Sequence, residues 1–342
     1  TSWEGMECYN YSPLLYAFEC ENVAITGTGT LAPIMDNWRT WFKRPEPHME
    51  ALKQLYTMAS TDVPVEERQM AVGENNMRPH LIHFNRCKHV LLDSFKIRES
   101  PFWTIHPVFC DNVIVRGVTI DSHFPNNDGC DPESTSNVLI EKCIFRTGDD
   151  AVAIKAGRDT DGRSIGRPSQ NIVVRDCIFH SECNGLCIGS EMSGGAANVY
   201  MERVAIGTVK NAIYFKSNKD RGGYIRNVRV KDITVERARG AILRFETNYF
   251  GFRGGNYPAI YEDFVIENVK AKRADNYALF MEGNPEKRIR NIAIRDFHVE
   301  DATHPYHLML TEGVTLTNSS VNGAMLAETL PEDSEKIILD VY

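Results

Sequence analysis

The sequence predicts an all-β chain folded as a right-handed parallel β-helix. Three observations predict it: a short strand pattern that returns about once per coil, period-two alternation within each copy, and almost no helical periodicity. The pattern opens on a polar residue, often Asn, followed by alternating β-branched or apolar residues. Copies start at Asn22, His89, Asn112, Asn137, Asn171, Asn198, Asn227, Asp263, Asn291 and Gly313. Successive starts lie 23 residues apart from His89 to Asn112 and 25 from Asn112 to Asn137, with somewhat larger steps later. A propeller blade needs roughly 40 residues and four strands, so strands stacked coil on coil fit better.

Residues 1–20 hold no copy of the pattern, yet they carry Trp3, Tyr9, Tyr11, Leu14, Leu15 and Tyr16. An open solenoid end needs a cover, so the single domain spanning 1–342 is expected to lack some N-terminal coils or a cap. Residues 36–75 form an insertion near the cleft, with a helical stretch at about 46–59 and the bulky Trp38, Trp41, Phe42 and Lys43. Such a segment is either a wall over a cleft or a surface excursion. Later coils add a third strand, at 151–155, 186–190, 212–216 and 241–245. Cys87 and Cys110 hold equivalent places in two coils, as do Cys143 and Cys177, and they read as small buried fillers in columns. No CxxC pair or Cys/His spacing marks a zinc site.

Apolar residues make up 42% of the chain, ample for a continuous core. The net charge of −8, with Lys and Arg dispersed, argues against nucleic acid. No apolar run of about eighteen residues exists to span a membrane. The chain opens at Thr1 without Met or a signal-like stretch, so any targeting segment is expected to lie outside it. Oligomeric state is not legible.

Three carboxylates stand where loops enter the third strand: Asp128 in Pro125-Asn126-Asn127-Asp128-Gly129, and Asp149 and Asp150 in Gly148-Asp149-Asp150. Asp149 follows Asp128 by 21 residues, about one coil. Strands stack about 4.8 Å apart, so the three acids converge on one face. Like charges that close raise at least one pKa, leaving a protonated acid beside ionised bases. That is the equipment of inverting glycoside hydrolysis. Asp-Gly and Asn-Asp pairs are also turn formers, which explains each acid singly but not their stacking.

With these motifs the sequence resembles the family-28 glycoside hydrolases, the polygalacturonases and their relatives, over nearly its full length. The family's Asn-Thr-Asp-Gly is similar to Asn126-Asn127-Asp128-Gly129, followed by Asp131-Pro132-Glu133-Ser134 as in exo-acting members, and its Gly-Asp-Asp is intact. Trp3-Glu4-Gly5, Gly157-Arg158-Asp159, residues 188–195 and Arg221-Gly222-Gly223 resemble bacterial exo-polygalacturonases, or galacturonidases. The resemblance implies a pectin-lyase-like solenoid that cleaves α-D-galacturonic acid linkages in a pectic polysaccharide or oligosaccharide, without cofactor or metal, in a secreted or periplasmic setting. It makes Asp149 the general acid, with Asp128 and Asp150 activating the water. Lys216, Asn126 and His106, the last in Trp103-Thr104-Ile105-His106-Pro107, become candidate substrate contacts.

Two departures bear on the substrate. The family's Gly-His-Gly reads Cys183-Asn184-Gly185, and its Arg-x-Lys reads Tyr214-Phe215-Lys216. Asn184 and Tyr214 are therefore candidate sugar contacts of altered chemistry. Neither Asn184 nor Cys183 replaces an imidazole near neutral pH, and Tyr214 exchanges a bidentate carboxylate fork for a stacking surface and one hydroxyl. Either the leaving-group side takes a less acidic residue, such as rhamnose in rhamnogalacturonan, or Arg221 or Arg244 supplies the missing charge and the substrate is polygalacturonate. His123 and His180 stand as replacements for the histidine, although a loop histidine is more often only a solvated hydrogen bonder; Tyr249-Phe250-Gly251-Phe252 stands as a stacking surface, which packing explains equally. Two other functions suit the fold: a calcium-dependent pectate lyase, and a pectin-binding β-helix without chemistry. The intact acidic signatures favour the hydrolase.

Overall fold

Each coil bends at the polar residue that opens the sequence pattern. Asn112, Asn137, Asn171, Asn198 and Asn227 take φ values between 51° and 57°, a left-handed region that Asn tolerates because its short amide bonds locally. The same amides bond from coil to coil: Asn171 to Asn137 at 3.0 Å, Asn198 to Asn171 at 3.0 Å, Asn227 to Asn198 at 2.6 Å. A second left-handed residue, such as Lys142, Asp176, Arg203 or Asp232, turns the corner into the next face.

The chain, seen in a computed structural model that describes residues 1–73 and 75–332, winds these bends into a right-handed parallel β-helix. Glu74 of the 36–75 insertion and residues 333–342 of the 1–342 span lie outside the described residues. One face stacks Glu21–Thr26, Lys88–Asp93, Asp111–Arg116 and Ser136–Glu141, then runs into the long strands Ser169–Ser181, Ala196–Val209 and Tyr224–Ala238. Another stacks Leu15–Phe18, Ile82–Asn85 and Ile105–Val108, then Val152–Ile154, Asn184–Ile188, Asn211–Lys216 and Ala241–Glu246. Coiling thus starts at Leu15, earlier than the repeat pattern implies. Leu15–Phe18 belongs to this second-named face, where no left-handed polar residue opens the strand.

Inward-pointing residues form one continuous core, with Phe145 on Phe179 at 5.5 Å between ring centroids and Phe215 on Phe245 at 4.7 Å. Each such side chain contributes about 1.5–3 kcal/mol of burial. Cys87, Cys110, Cys143 and Cys177 are buried fillers without disulfides. Helix α1, Glu46–Ser60, matches the expected helical stretch and buries His48, Ala51, Leu55 and Ala59 along one stripe. That stripe packs on Trp3, Met6, Phe102 and Trp103. A short helix α2, Asp159–Ile165, had no sequence signal; Gly166 ends it at φ 61°. Among the described residues no helix is long and apolar enough to cross a membrane.

Candidate active site

Strand register decides which acids meet. Cys130 pairs with Val152, Val152 with Leu186, and Leu186 with Ile213. Two residues earlier in each strand, Asp128, Asp150, Asn184 and Asn211 therefore stand one above another. Spacing in the sequence aligned Asp128 with Asp149; the register aligns it with Asp150 and leaves Asp149 in the bend just before. The bend needs Gly148, because a Cβ there would lie 2.2 Å from the Phe124 carbonyl oxygen. Thr147 and Ser181 hydroxyls both donate to the Asp149 carbonyl at 2.6 Å, and the Asn126 N–H donates to Asp149 Oδ2 at 3.2 Å.

Adjacent in sequence, Asp149 and Asp150 have opposite electrostatics. Burial raises the pKa of Asp149, and the neighbouring Asp150 charge raises it further. Burial acts the same way on Asp150, but Lys216 and then Lys155 outweigh it and hold that pKa below the ordinary value. Lys216 Nζ lies 2.9 Å from Asp150 Oδ2, and the Asn184 amide donates to Oδ1 at 2.5 Å. Asp128 is raised well above the usual carboxylate range by burial, then by Asp131 and Asp149. Of the two carboxylates the resemblance assigned to activating water, Asp150 alone is favoured as the ion.

These acids floor a pocket of about 240 Å³. Asn126, Lys216 and Arg221 line it with the three aspartates, as do Tyr249 and Phe250. Seven basic side chains face five acidic ones, and two of the five have raised pKa values. The insertion reaches the same pocket through Arg44, His48, Met49, Leu52 and Tyr56. Tyr56 lies between Arg158 and Arg253, whose guanidinium carbons sit 4.7 and 4.5 Å from its ring centroid. Helix α1 thereby meets the loop after Ala241–Glu246 across the cleft.

Three expected substrate contacts lie elsewhere. Asn184 is spent on the ladder, its amide oxygen accepting from Asn211 at 2.8 Å while its nitrogen serves Asp150. Tyr214 donates its hydroxyl to Glu246 and packs with Ala153, Cys187 and Tyr249 beneath the pocket, so it offers the sugar no stacking face. His106 is 0% exposed, bonded to Glu133 at 2.8 Å behind Trp103. Arg244 pairs with Glu246 and His123 with Asp121, and neither they nor His180 line the pocket.

Sequence reasoning missed Arg78, Trp103, Lys155 and Glu191. Lys155 donates to Glu191 at 2.9 Å; burial would raise Glu191, but Lys155 and Arg158 hold it well below its usual range. Arg78 bonds the Pro101 and Pro125 carbonyls and Asn126 Oδ1, with no carboxylate partner among the described residues. Burial lowers its pKa to about 10, leaving it charged. A lone Arg after an insertion carries no signal of this role. Asp149, Asp150 and Cys183 place three possible metal ligands within 4.8 Å, but Lys216 already neutralises Asp150 and burial pushes the Cys183 thiol up.

A solenoid that carries carboxylates of opposite proton preference on one face, beneath a basic pocket, belongs to the class built around a glycosidase-type acid and base. Residues 68–305 match the model of Glycosyl hydrolases family 28, and the chain belongs to that family. It is 32% identical over 230 residues to a Vitis vinifera protein named "Probable polygalacturonase", covering 64% of this chain and 45% of that one. An endo-polygalacturonase of Pectobacterium carotovorum is 32% identical over 201 residues, covering 57% of this chain and 46% of its own. The chain spans about half the length of the curated relatives it matches. The crystal structure of a hyperthermoactive exopolygalacturonase from Thermotoga maritima superposes with a TM-score of 0.90 at 40% identity, covering 95% of this chain and 75% of that one.

Proposed function

We propose that the chain is an exo-acting, inverting hydrolase of α-linked galacturonic acid in pectin. The observation that carries this is the opposed pair Asp149 and Asp150 in a pocket of excess positive charge. Asp149 gives its proton to the glycosidic oxygen as the bond to the anomeric carbon breaks. Asp150 takes a proton from the water that attacks that carbon from the opposite face, so the configuration inverts. Asp128, biased toward its neutral form, orients the water by hydrogen bonding. Arg78 lines the pocket and stays charged, so its field draws the sugar's carboxylate there.

Exo action is supported by the Tyr56 contact with Arg253, which bridges the cleft into a pocket, and by the likeness to the Thermotoga maritima exopolygalacturonase. Polygalacturonate is favoured over rhamnogalacturonan because Tyr214, the residue that argued for a neutral sugar, is turned away from the pocket. A pectic substrate implies work outside the cell or in the periplasm. Digests of polygalacturonate and rhamnogalacturonan oligosaccharides, followed by chromatography and proton NMR of the fresh anomer, test the reading. Early release of mono- or digalacturonate with inverted configuration is the expected result. Preference for rhamnogalacturonan, internal cleavage, or an ultraviolet-absorbing unsaturated product that vanishes with chelator would each defeat it.

A further inference from the structure

We propose that His80, His83 and His106 form a zinc-type metal site behind the Trp103 wall of the pocket. His83 and His106 are register partners on adjacent coils. The His80 ring lies 4.3 Å from that of His106 and 5.1 Å from that of His83, centroid to centroid. Each residue offers a ring nitrogen, the three within 4.8 Å of one another, and Nδ1 of His83 is 3.0 Å from Nδ1 of His106. Nitrogens that share a tetrahedral ion at about 2.05 Å lie about 3.3 Å apart, so modest ring rotations complete the geometry.

Without an ion, His83 and His106 pair through their Nδ1 atoms at 3.0 Å, and His80 is the ring that hydrogen bonding leaves unfinished among the described residues. His106 Nε2 meets Glu133 Oε2 at 2.8 Å, and Ser2 Oγ donates to both oxygens of that carboxylate at 2.8 and 3.0 Å. Burial pushes the Glu133 pKa up to about 8; once that carboxyl is ionised, the contact holds the His106 proton on Nε2 and leaves its lone pair on Nδ1, toward His83. His83 Nε2 lies 3.2 Å from the Thr1 hydroxyl, which donates or accepts as required. His80 is 1% exposed and its Nε2 is buried without a partner among the described residues, a condition protein interiors rarely leave in place. A divalent ion answers all three rings: it takes lone pairs from His80 Nε2, His83 Nδ1 and His106 Nδ1, while His83 keeps its proton on Nε2 facing Thr1. Glu133 then holds His106 as outer-shell carboxylates hold ligating imidazoles. Neutral imidazoles suit zinc, cobalt, nickel and copper. Trp103, edge-on to His106 at 5.1 Å and tilted against His80 at 5.7 Å, couples the site to the pocket wall.

The test is metal retention by the 342-residue chain after refolding with Zn(II) or Co(II) and gel filtration. One equivalent per chain is expected, with visible ligand-field absorption from Co(II) and a Tm raised by Zn(II). His80→Ala and His83→Gln each abolish these signals, and Glu133→Gln keeps the stoichiometry but weakens affinity about 10–100-fold. Asp149→Asn retains the metal, which separates this site from the acidic pocket. The unaltered chain serves as the primary readout should a histidine variant not fold. No retained metal and no Co(II) absorption in that chain, or equal binding by the folded His80 and His83 variants, overturns the proposal.

Discussion

Asp149 and Asp150 share a peptide bond, yet only Asp150 reaches Lys216 and the Asn184 amide. That difference sets the direction of the pH profile. A raised pKa on the acid means kcat/KM falls as pH rises through the Asp149 titration, and a lowered pKa on the base means it falls as pH drops through that of Asp150. Asn184→Ala removes the side-chain donor that favours the ionised form and keeps the backbone one, so the acid-side limb moves to higher pH while the alkaline limb stays; reducing-sugar assays across pH read this directly. With Asp149 as the proposed general acid, Asp149→Asn should lower kcat by about 10²–10⁴. Sequence reading named both acids but gave Asn184 and Tyr214 to the sugar. Which way a stacked side chain faces depends on neighbours about thirty residues away, which spacing of about one coil does not report.

Helix α1 and the bent strand openings show two kinds of legibility. The recurring Asn was visible as the opening of each strand copy; that it marks a left-handed bend came from the structure, where the local backbone favours that residue type. Asn198→Val should cost about 1–2 kcal/mol from backbone strain alone, with a further loss from its bonds to Asn171 and Asn227; Asn198→Gly should cost less, as compared by urea midpoints. Helix α1 was visible as a helix, while its role as wall or excursion was left open. Tyr56, lying between Arg158 and Arg253, supports the reading as a wall. Tyr56→Ala should open the pocket toward a groove, and chromatography of early products should then show longer oligomers beside monomer. Unchanged early products would remove α1 from any part in exo action.

Across the whole molecule, stability and site geometry depend on the same stacking. Coils touch only their neighbours, so damage stays near its source. Phe215, between Phe245 and Phe264 in the core, lies next to Lys216 in the chain. Phe215→Ala should cost about 3–5 kcal/mol and loosen the coil that ionises Asp150, lowering the denaturation midpoint and kcat together. Ile178→Ala, at a surface position 42% exposed, should stay within about 0.5 kcal/mol. The net charge of −8 hides the basic pocket, since a local field is set by which side chains converge and not by their sum.

By itself the sequence determined the repeat, the polar residue that opens each copy, the inward columns and the acids at 128, 149 and 150, because alternation, a recurring Asn and Gly-Asp-Asp are local features of the chain. Tertiary structure alone decided that Asp150 stacks on Asp128, that Asn184 and Tyr214 face one another's coils and not the pocket, and that Lys155, His80 and His106 gather around Trp103. Those outcomes depend on register between strands and on where an insertion folds back. Both are set by packing between distant residues, which period and composition do not encode.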